Sequence, residues 1–280
     1  MMGDVKLLVC TDLDRTLIPN GAEPESEGAR ERFARLVATE GVTLAYVSGR
    51  HRALVEQAIA EWDLPVPDYC IGDVGTTIYR VEGRDWTPVE AWAQAIGADW
   101  SGSGHDDLAA RLVDLDGLQL QEVEKQGRFK LSWYAPARTD SQALLAEVRA
   151  RIAPTGARCS LIWSIDEAAG VGLLDILPSC ATKYHSVDFL MRMTDHDLSN
   201  TVFSGDSGND LEVLVSPIPA TLVANGHPEV REQASRIAEE QGNRDVLYLA
   251  TGALDGMNGN YAAGILEGIL HYHPGYSRLV

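Results

Sequence analysis

Two short apolar runs with one helix-patterned stretch between them constrain this chain most. Val5–Cys10 and Val42–Val47 are rich in Val and Leu and lack a polar residue at every second position, which is the pattern of strands buried on both faces. Between them Ser26 opens a predicted helix with Ala29, Phe33, Leu36 and Val37 on one face, and Gly41 closes it in a conformation that glycine adopts readily. A second helix is expected over Arg52–Trp62, with Leu54, Ala58 and Ile59 on one stripe, and a third strand begins at Tyr69–Ile71. Strand, helix, strand, helix, strand in this order calls for an α/β fold: a parallel sheet with helices on both faces.

From about Trp86 the rhythm changes. A helix at Asp106–Leu115 is followed by strands at Leu118–Val123 and Phe129–Tyr134, then a helix at Ser141–Ile152 and strands at Cys159–Ile165 and Gly172–Leu177. Helix followed by paired strands, twice over, implies an antiparallel sheet with helices on one face, an α+β unit. After Lys183 the strand–helix alternation returns: helix Tyr184–Met193, strand Thr201–Ser204, helix Asp210–Val215, strand Ala220–Val223 and a late helix over Tyr261–His271. The expectation is a core built from residues 1–83 and 172–280, interrupted by an inserted domain over residues 84–171.

Composition excludes several classes. Of 280 residues 45% are hydrophobic and 23% charged, and the net charge is -18. Such a chain is neither disordered nor collagen-like, and its acidic field repels nucleic acid and anionic lipid, so neither is an expected partner. The apolar runs are far too short to span a bilayer. The start, MMGDVKLLVCTDLD, carries no basic flank or cleavage site, so a cytoplasmic location is expected. Cys10, Cys70, Cys159 and Cys180 show no metal-binding spacing and are expected to be reduced, with Cys10 and Cys70 in the core.

Four polar segments stand where a predicted buried strand ends. Asp12-Leu13-Asp14-Arg15-Thr16 follows the first strand, Ser48-Gly49-Arg50 the second, Lys183 opens a helix after Pro178, and Gly205-Asp206-Ser207-Gly208-Asn209-Asp210 follows Thr201–Ser204. Ligands of open parallel sheets bind beyond the carboxyl ends of the strands, so these distant segments can converge. Asp12 and Asp14 are two apart and can face one site. Paired carboxylates need a cation or a shared proton, and a hard divalent ion with oxygen ligands, Mg2+ first among them, meets that need. Ser48 offers a hydroxyl, Gly49 a close backbone approach, Arg50 and Lys183 positive charge. Taken singly each segment reads as turn chemistry or a surface charge; four in this order do not.

DLDRT, SGR, a lysine and GDSGND together resemble the four motifs of the haloacid dehalogenase (HAD) superfamily of aspartyl-phosphate hydrolases. Residues 51–182, between the second and third motifs, hold the insert, as in the subgroup with a large α/β cap. Within it the chain is most similar to the sucrose-6-phosphate phosphatases. Supporting stretches are Pro67-Asp68-Tyr69, Gly75 to Tyr79, Phe129 to Trp133, Asp175 to Pro178 and Gly264 to Ile269. The resemblance implies a Rossmann-like core and an aspartyl-phosphate mechanism. Asp12 is then the nucleophile and Asp14 the general acid and base. Ser48 and Lys183 hold phosphate oxygens, with Gly49, Arg50 and Asn209 as further substrate contacts. Mg2+ is held by Asp12, Asp206, Asp210 and the backbone carbonyl of Asp14. Asp12 is expected to stay ionised because Mg2+ and Lys183 hold its pKa down, and Thr16 to cap the first loop.

Arg15 departs from the Gly or Asn of many relatives; it is open to a substrate contact, a surface ion pair or neither, and the surface reading is preferred. In the insert, RFKLSWY alternates Phe129, Leu131 and Trp133 with Arg128, Lys130, Ser132 and Tyr134. The second face is either solvated or turned to the core domain with Lys130 on the sugar phosphate, the reading the resemblance favours. The expected substrate is a small sugar phosphate, sucrose-6-phosphate ahead of mannosylfructose phosphate and glucosylglycerol phosphate. A phosphomutase or a non-catalytic sugar-phosphate-binding module are the alternatives. Any protein partner would be the upstream glycosyltransferase, and the chain itself a monomer or weak dimer.

Overall fold

The first apolar run becomes β1 (Leu7–Thr11), buried along its whole length. In the computed structural model, which describes residues 6–167 and 169–278, this strand starts later than the apolar pattern suggests; Val5 lies outside the described residues. The helix α1 (Ala29–Val37) follows, entered through Gly28 at φ 74 rather than at Ser26. Next come β2 (Val42–Val47), α2 (Arg52–Trp62) and β3 (Tyr69–Gly72). On α2 the buried positions are Val55 and Ala58, while Leu54 is 40% exposed, so the apolar stripe is rotated from the predicted one. β4 (Thr77–Glu82) and β5 (Asp85–Pro88) pair antiparallel, with Glu82 opposite Asp85 across a turn carrying Gly83 at φ 63. A two-residue hairpin of this kind needs positive φ at the turn, and glycine supplies it.

Val89–Thr182 then forms a separate unit, with α3 (Glu90–Gly97), α4 (His105–Ala109), β6 (Gln119–Leu120), β7 (Leu131–Pro136), α5 (Ser141–Ile152), β8 (Cys159–Asp166) and β9 (Val171–Pro178). The sequence pattern puts the insert at 84–171. β5 instead stays zipped to the core sheet, and at the other end the Cys180 N–H donates to the buried Asp99 carboxylate at 2.7 Å. The four strands run in the order β6-β7-β9-β8, each pairing antiparallel. Its core gathers Trp100, Leu131, Trp133, Val148, Leu174 and Ile176. The strand predicted over Leu118–Val123 shrinks to two residues; beyond it the Gln121 N–H still donates to Ser132 O at 3.0 Å, and Gln side chains add bonds, Gln121 Nε2 to Trp133 O at 3.0 Å and Gln126 Nε2 to Ser132 O at 2.8 Å. Lys130 sits in the turn that leads into β7, its backbone paired with Gly127. Ser132, on the face read as either solvated or turned to the core domain, is fully buried and donates to Asp175 Oδ1 at 2.5 Å.

The chain re-enters the first unit with α6 (Lys183–Met193), β10 (Thr201–Gly205), α7 (Leu211–Leu214), β11 (Ala220–Leu222), α8 (Pro228–Gln241), β12 (Leu247–Leu249) and α9 (Ala262–Tyr272). α8 begins on Pro228 and ends at Gly242 in the left-handed conformation, the usual asymmetry of helix ends. The sheet order is β12-β11-β10-β1-β2-β3-β4-β5, parallel from β12 through β3. Successive crossovers run one way from β1 to β3 and the other way from β10 to β12. The order therefore reverses between β1 and β10, and a crevice opens beyond their carboxyl ends. Leu7 and Val9 of β1 join Phe33 and Leu36 of α1, Val55 of α2 and Ile265 and Ile269 of α9 in one core. No described helix is long and apolar enough to cross a membrane.

α9 lies against β11 so closely that a Cβ on Gly268 would overlap Thr221 Oγ1, and one on Gly264 would overlap Gly259 O. Overpacking of this kind costs about 1–3 kcal/mol. Gly268→Ala is therefore expected to lower the melting temperature, although alanine is the better helix former; an equal or higher melting temperature would show that this contact is not tight.

Candidate active site

The crevice at the sheet reversal is a cleft of about 480 Å3 lined by Asp12, Asp14, Arg15, Ser48, Gly49, Arg50, Leu54, Asp206, Ser207, Asn209 and His227. The sheet register explains the convergence. The Asp12 N–H donates to Ser204 O at 2.9 Å, which places the end of β1 beside the end of β10, and the Ser48 N–H donates to Ile71 O at 2.8 Å at the end of β2.

Lys183 opens α6, where the helix dipole disfavours a cation. Carboxylates compensate for it. Its Nζ donates to Asp12 Oδ1 at 3.0 Å, Asp210 Oδ1 at 2.7 Å and Asn209 Oδ1 at 3.2 Å. Both carboxylates and the ammonium are buried. Burial pushes the ammonium down, but Asp12 and Asp210 outweigh it and hold Lys183 above the usual lysine range. Asp210 turns its other oxygen to the backbone, accepting from Asp206 N at 3.1 Å and Ser207 N at 3.2 Å. This tuck depends on Gly205, because a Cβ there would stand 2.6 Å from Asp210 Cγ.

Asp12, Asp206 and Asp210 bring carboxylate oxygens within 4.8 Å of one another. Burial and the neighbouring carboxylate of Asp210, opposed by Lys183, push the Asp12 carboxyl up to about 7. Lys183 lowers it, as expected, but does not offset burial and Asp210. Burial and Asp210 also raise Asp206, against Arg15. A compact, oxygen-only, charge-deficient cluster of this kind suits a hard divalent cation.

Asp14 faces the same cleft but has different partners. Arg50 grips it through two bonds, Nε to Oδ2 at 2.8 Å and Nη2 to Oδ1 at 2.6 Å, and Asn20 Nδ2 adds a third at 2.8 Å. Burial pushes this carboxyl up, but the hydrogen bonds from Arg50 and Asn20 outweigh it and leave it below the usual range. Its side chain is thus apart from the three-carboxylate cluster. Ser48 is buried and its Oγ accepts from the Arg50 N–H at 3.2 Å. Gly49 is exposed, and a Cβ there would meet nothing within 4 Å. Lys130 belongs to the inserted unit.

Arg15 is more than a surface charge: its Nε donates to Asp206 Oδ2 at 3.1 Å. Thr16 is buried and its hydroxyl reaches Asp206 Oδ1 at 3.4 Å. Sequence reasoning passed over Asn20, Asn225 and His227. Asn225 acts only because loops far apart in the chain meet; Asn20 lies five and six residues from its partners Arg15 and Asp14, but no residue pattern marks either.

The family described as sucrose-6F-phosphate phosphohydrolase matches residues 5–273. A protein of Nitrosococcus oceani named "Putative HAD-like hydrolase" is 51% identical over 269 residues, covering 96% of this chain and 72% of that protein. The mannosylfructose-phosphate phosphatase of Agrobacterium fabrum is 28% identical over 269 residues, covering 95% of this chain and 96% of its own. Among solved structures, the sucrose-phosphatase from Synechocystis in complex with sucrose and phosphate aligns with a TM-score of 0.67 at 24% identity, over 95% of this chain and 98% of that one. At that identity the likeness concerns the fold.

Gly205→Ala is expected to push Asp210 off Lys183 and the backbone of the fourth motif, lowering any cation-dependent turnover about 100-fold or more. Near-normal turnover in this variant would mean that the tuck of Asp210 is dispensable.

Proposed function

Because the chain belongs to the sucrose-6F-phosphate phosphohydrolase family, whose members are HAD-type phosphoric monoester hydrolases of sugar phosphates, we propose that it dephosphorylates a disaccharide phosphate, sucrose-6-phosphate first among the candidates. The observation that carries this reading is the Lys183 ammonium shared by Asp12, Asp210 and Asn209 at the cleft that Ser48 and Arg50 also line.

In this mechanism an oxygen of Asp12 attacks phosphorus in line, and the bond from phosphorus to the sugar oxygen breaks. The leaving oxygen takes a proton from Asp14. Asp14, now a carboxylate, removes a proton from water as that water attacks the phosphorus of the aspartyl-phosphate. Inorganic phosphate leaves and Asp12 is regenerated. Lys183, Ser48 and Arg50 hold the non-bridging oxygens as charge shifts among them. Asp12, Asp206 and Asp210, with the Asp14 carbonyl as the further ligand implied by the resemblance, would hold Mg2+, which when bound would supply positive charge that favours the ionised form of Asp12 and polarises the phosphoryl group.

The Arg50 fork has a consequence for Asp14. While Arg50 grips it, Asp14 is held as a carboxylate and cannot donate a proton. A phosphate dianion is the better partner for a guanidinium fork. Once Arg50 turns to phosphate, the partial burial of Asp14 is opposed only by Asn20 and the more distant Lys183, and its proton affinity rises. Substrate binding thereby prepares the acid.

We assign the choice of leaving group to the inserted unit, with Lys130 as its candidate sugar-phosphate contact. Sucrose-6-phosphate and mannosylfructose phosphate differ in the configuration at one hydroxyl-bearing carbon and glucosylglycerol phosphate in its acceptor, differences that a polar pocket can discriminate.

A phosphate-release screen with Mg2+ across mono- and disaccharide phosphates tests this reading. One disaccharide phosphate is expected to exceed the rest in kcat/KM by about tenfold or more; equal, slow hydrolysis of all would contradict a sugar-specific enzyme. Chelation with EDTA should abolish turnover and Mg2+ should restore it, whereas full activity after chelation would refute the metal-dependent mechanism. Asp12→Asn should cost about 1000-fold or more in kcat, and an unchanged rate would remove Asp12 as the nucleophile.

A further inference from the structure

Arg15 is held in a conformation that does not suit it. Its φ is 58, in the left-handed region that glycine and asparagine enter readily and other residues enter at a cost. Its backbone is pinned on both sides: the N–H donates to Asn20 Oδ1 at 2.8 Å, and the carbonyl accepts from Asn225 Nδ2 at 2.6 Å. The side chain is held more loosely. Nε bonds Asp206 Oδ2 at 3.1 Å, and Nη2 makes a long contact of 3.3 Å to Asn225 O. A second carboxylate, Glu23, stands 3.9 Å from Nη2 and is accessible, its side chain 40% exposed. The guanidinium thus lies between a buried carboxylate and an exposed one, 3.1 Å from Asp206 Oδ2 and 3.9 Å from Glu23 Oε2.

The buried partner, Asp206, also belongs to the three-carboxylate cluster. A divalent ion and a guanidinium on the same carboxylate repel each other. Resting on the reading of Asp206 as a metal ligand given above, we propose that Arg15 is a positioning residue that competes with the divalent cation for Asp206 and moves to Glu23 when the cation binds. In the metal-free protein Arg15 neutralises a buried carboxylate that would otherwise lack a cation. The same contact weakens metal affinity, and Glu23 recovers part of that loss by accepting the displaced guanidinium.

The experiment is isothermal titration of Mg2+ alone into the full chain, free of phosphate. Two variants remove the charge: Arg15→Gln keeps a long polar side chain on the strained backbone, and Arg15→Asn also relieves the strain. Both are expected to lower the Kd for Mg2+ about fivefold or more. Glu23→Gln, which removes only the alternative seat, is expected to raise it about threefold. An unchanged or higher Kd in both Arg15 variants overturns the proposal, and an unchanged Kd in Glu23→Gln overturns the assignment of the second seat. Asp206→Asn separates this from the metal reading. Loss of Mg2+ binding there, with Arg15 variants that bind as the wild type does, overturns the role of Arg15 alone. Retention of binding in Asp206→Asn overturns both.

Discussion

Lys183 is buried at the first turn of α6, at the end of the helix where the dipole disfavours a cation, and is kept there by Asp12 and Asp210. The arrangement is stable only as a set. Removing one partner of a buried pair costs about 3–5 kcal/mol, because the other charge is left uncompensated. The lysine alone leaves a deficit: three carboxylates converge, the ammonium answers Asp12 and Asp210, and Arg15 answers Asp206. We propose that this crowding of carboxylates gives the cluster its affinity for a doubly charged ion. In a chain of net charge -18, attraction for a phosphate must be built locally, and in the proposed mechanism the cluster with Ser48 and Arg50 does so.

The sheet delivers these groups. β1 and β10 are adjacent and parallel, and the crossovers diverge from them in opposite directions. The loops after the two strands therefore flank one crevice, and segments almost two hundred residues apart in the chain become neighbours. Close packing completes the job. Gly205 leaves Asp210 room to tuck against the backbone N–H groups of Asp206 and Ser207. Gly268 lets α9 lie on β11. A side chain at either position would shift an element on which the crevice rests.

Much of this was legible in the sequence because it is written locally. Buried strands such as Val42–Val47 show as apolar runs, and the first, second and fourth motifs directly follow one, whereas Lys183 opens α6 five residues after β9 of the inserted unit. What was not legible depends on partners distant in the chain. The hairpin of β4 and β5 extends the core sheet past the point where the helix–strand rhythm appears to break, and moves the boundary of the inserted unit to Val89. Leu54 looks like a core position by spacing, but α2 is rotated so that it lines the cleft. The Arg50 grip on Asp14 and the Arg15 contact with Asp206 are ion pairs between motifs. No spacing rule specifies which arginine meets which carboxylate, and Asn20 and Asn225, which hold those loops, lie in stretches with no distinctive pattern.

The account comes down to a carboxylate at position 12 that carries the phosphoryl group while its neighbour at position 14 moves the proton. Acid quenching during turnover of a disaccharide phosphate with Mg2+, followed by borohydride reduction and peptide mass spectrometry, reads this directly, because reduction converts an acyl phosphate of aspartate to homoserine. The account predicts homoserine at position 12 and an intact aspartate at position 14. Turnover that leaves Asp12 unreduced, or that marks another residue instead, would contradict it.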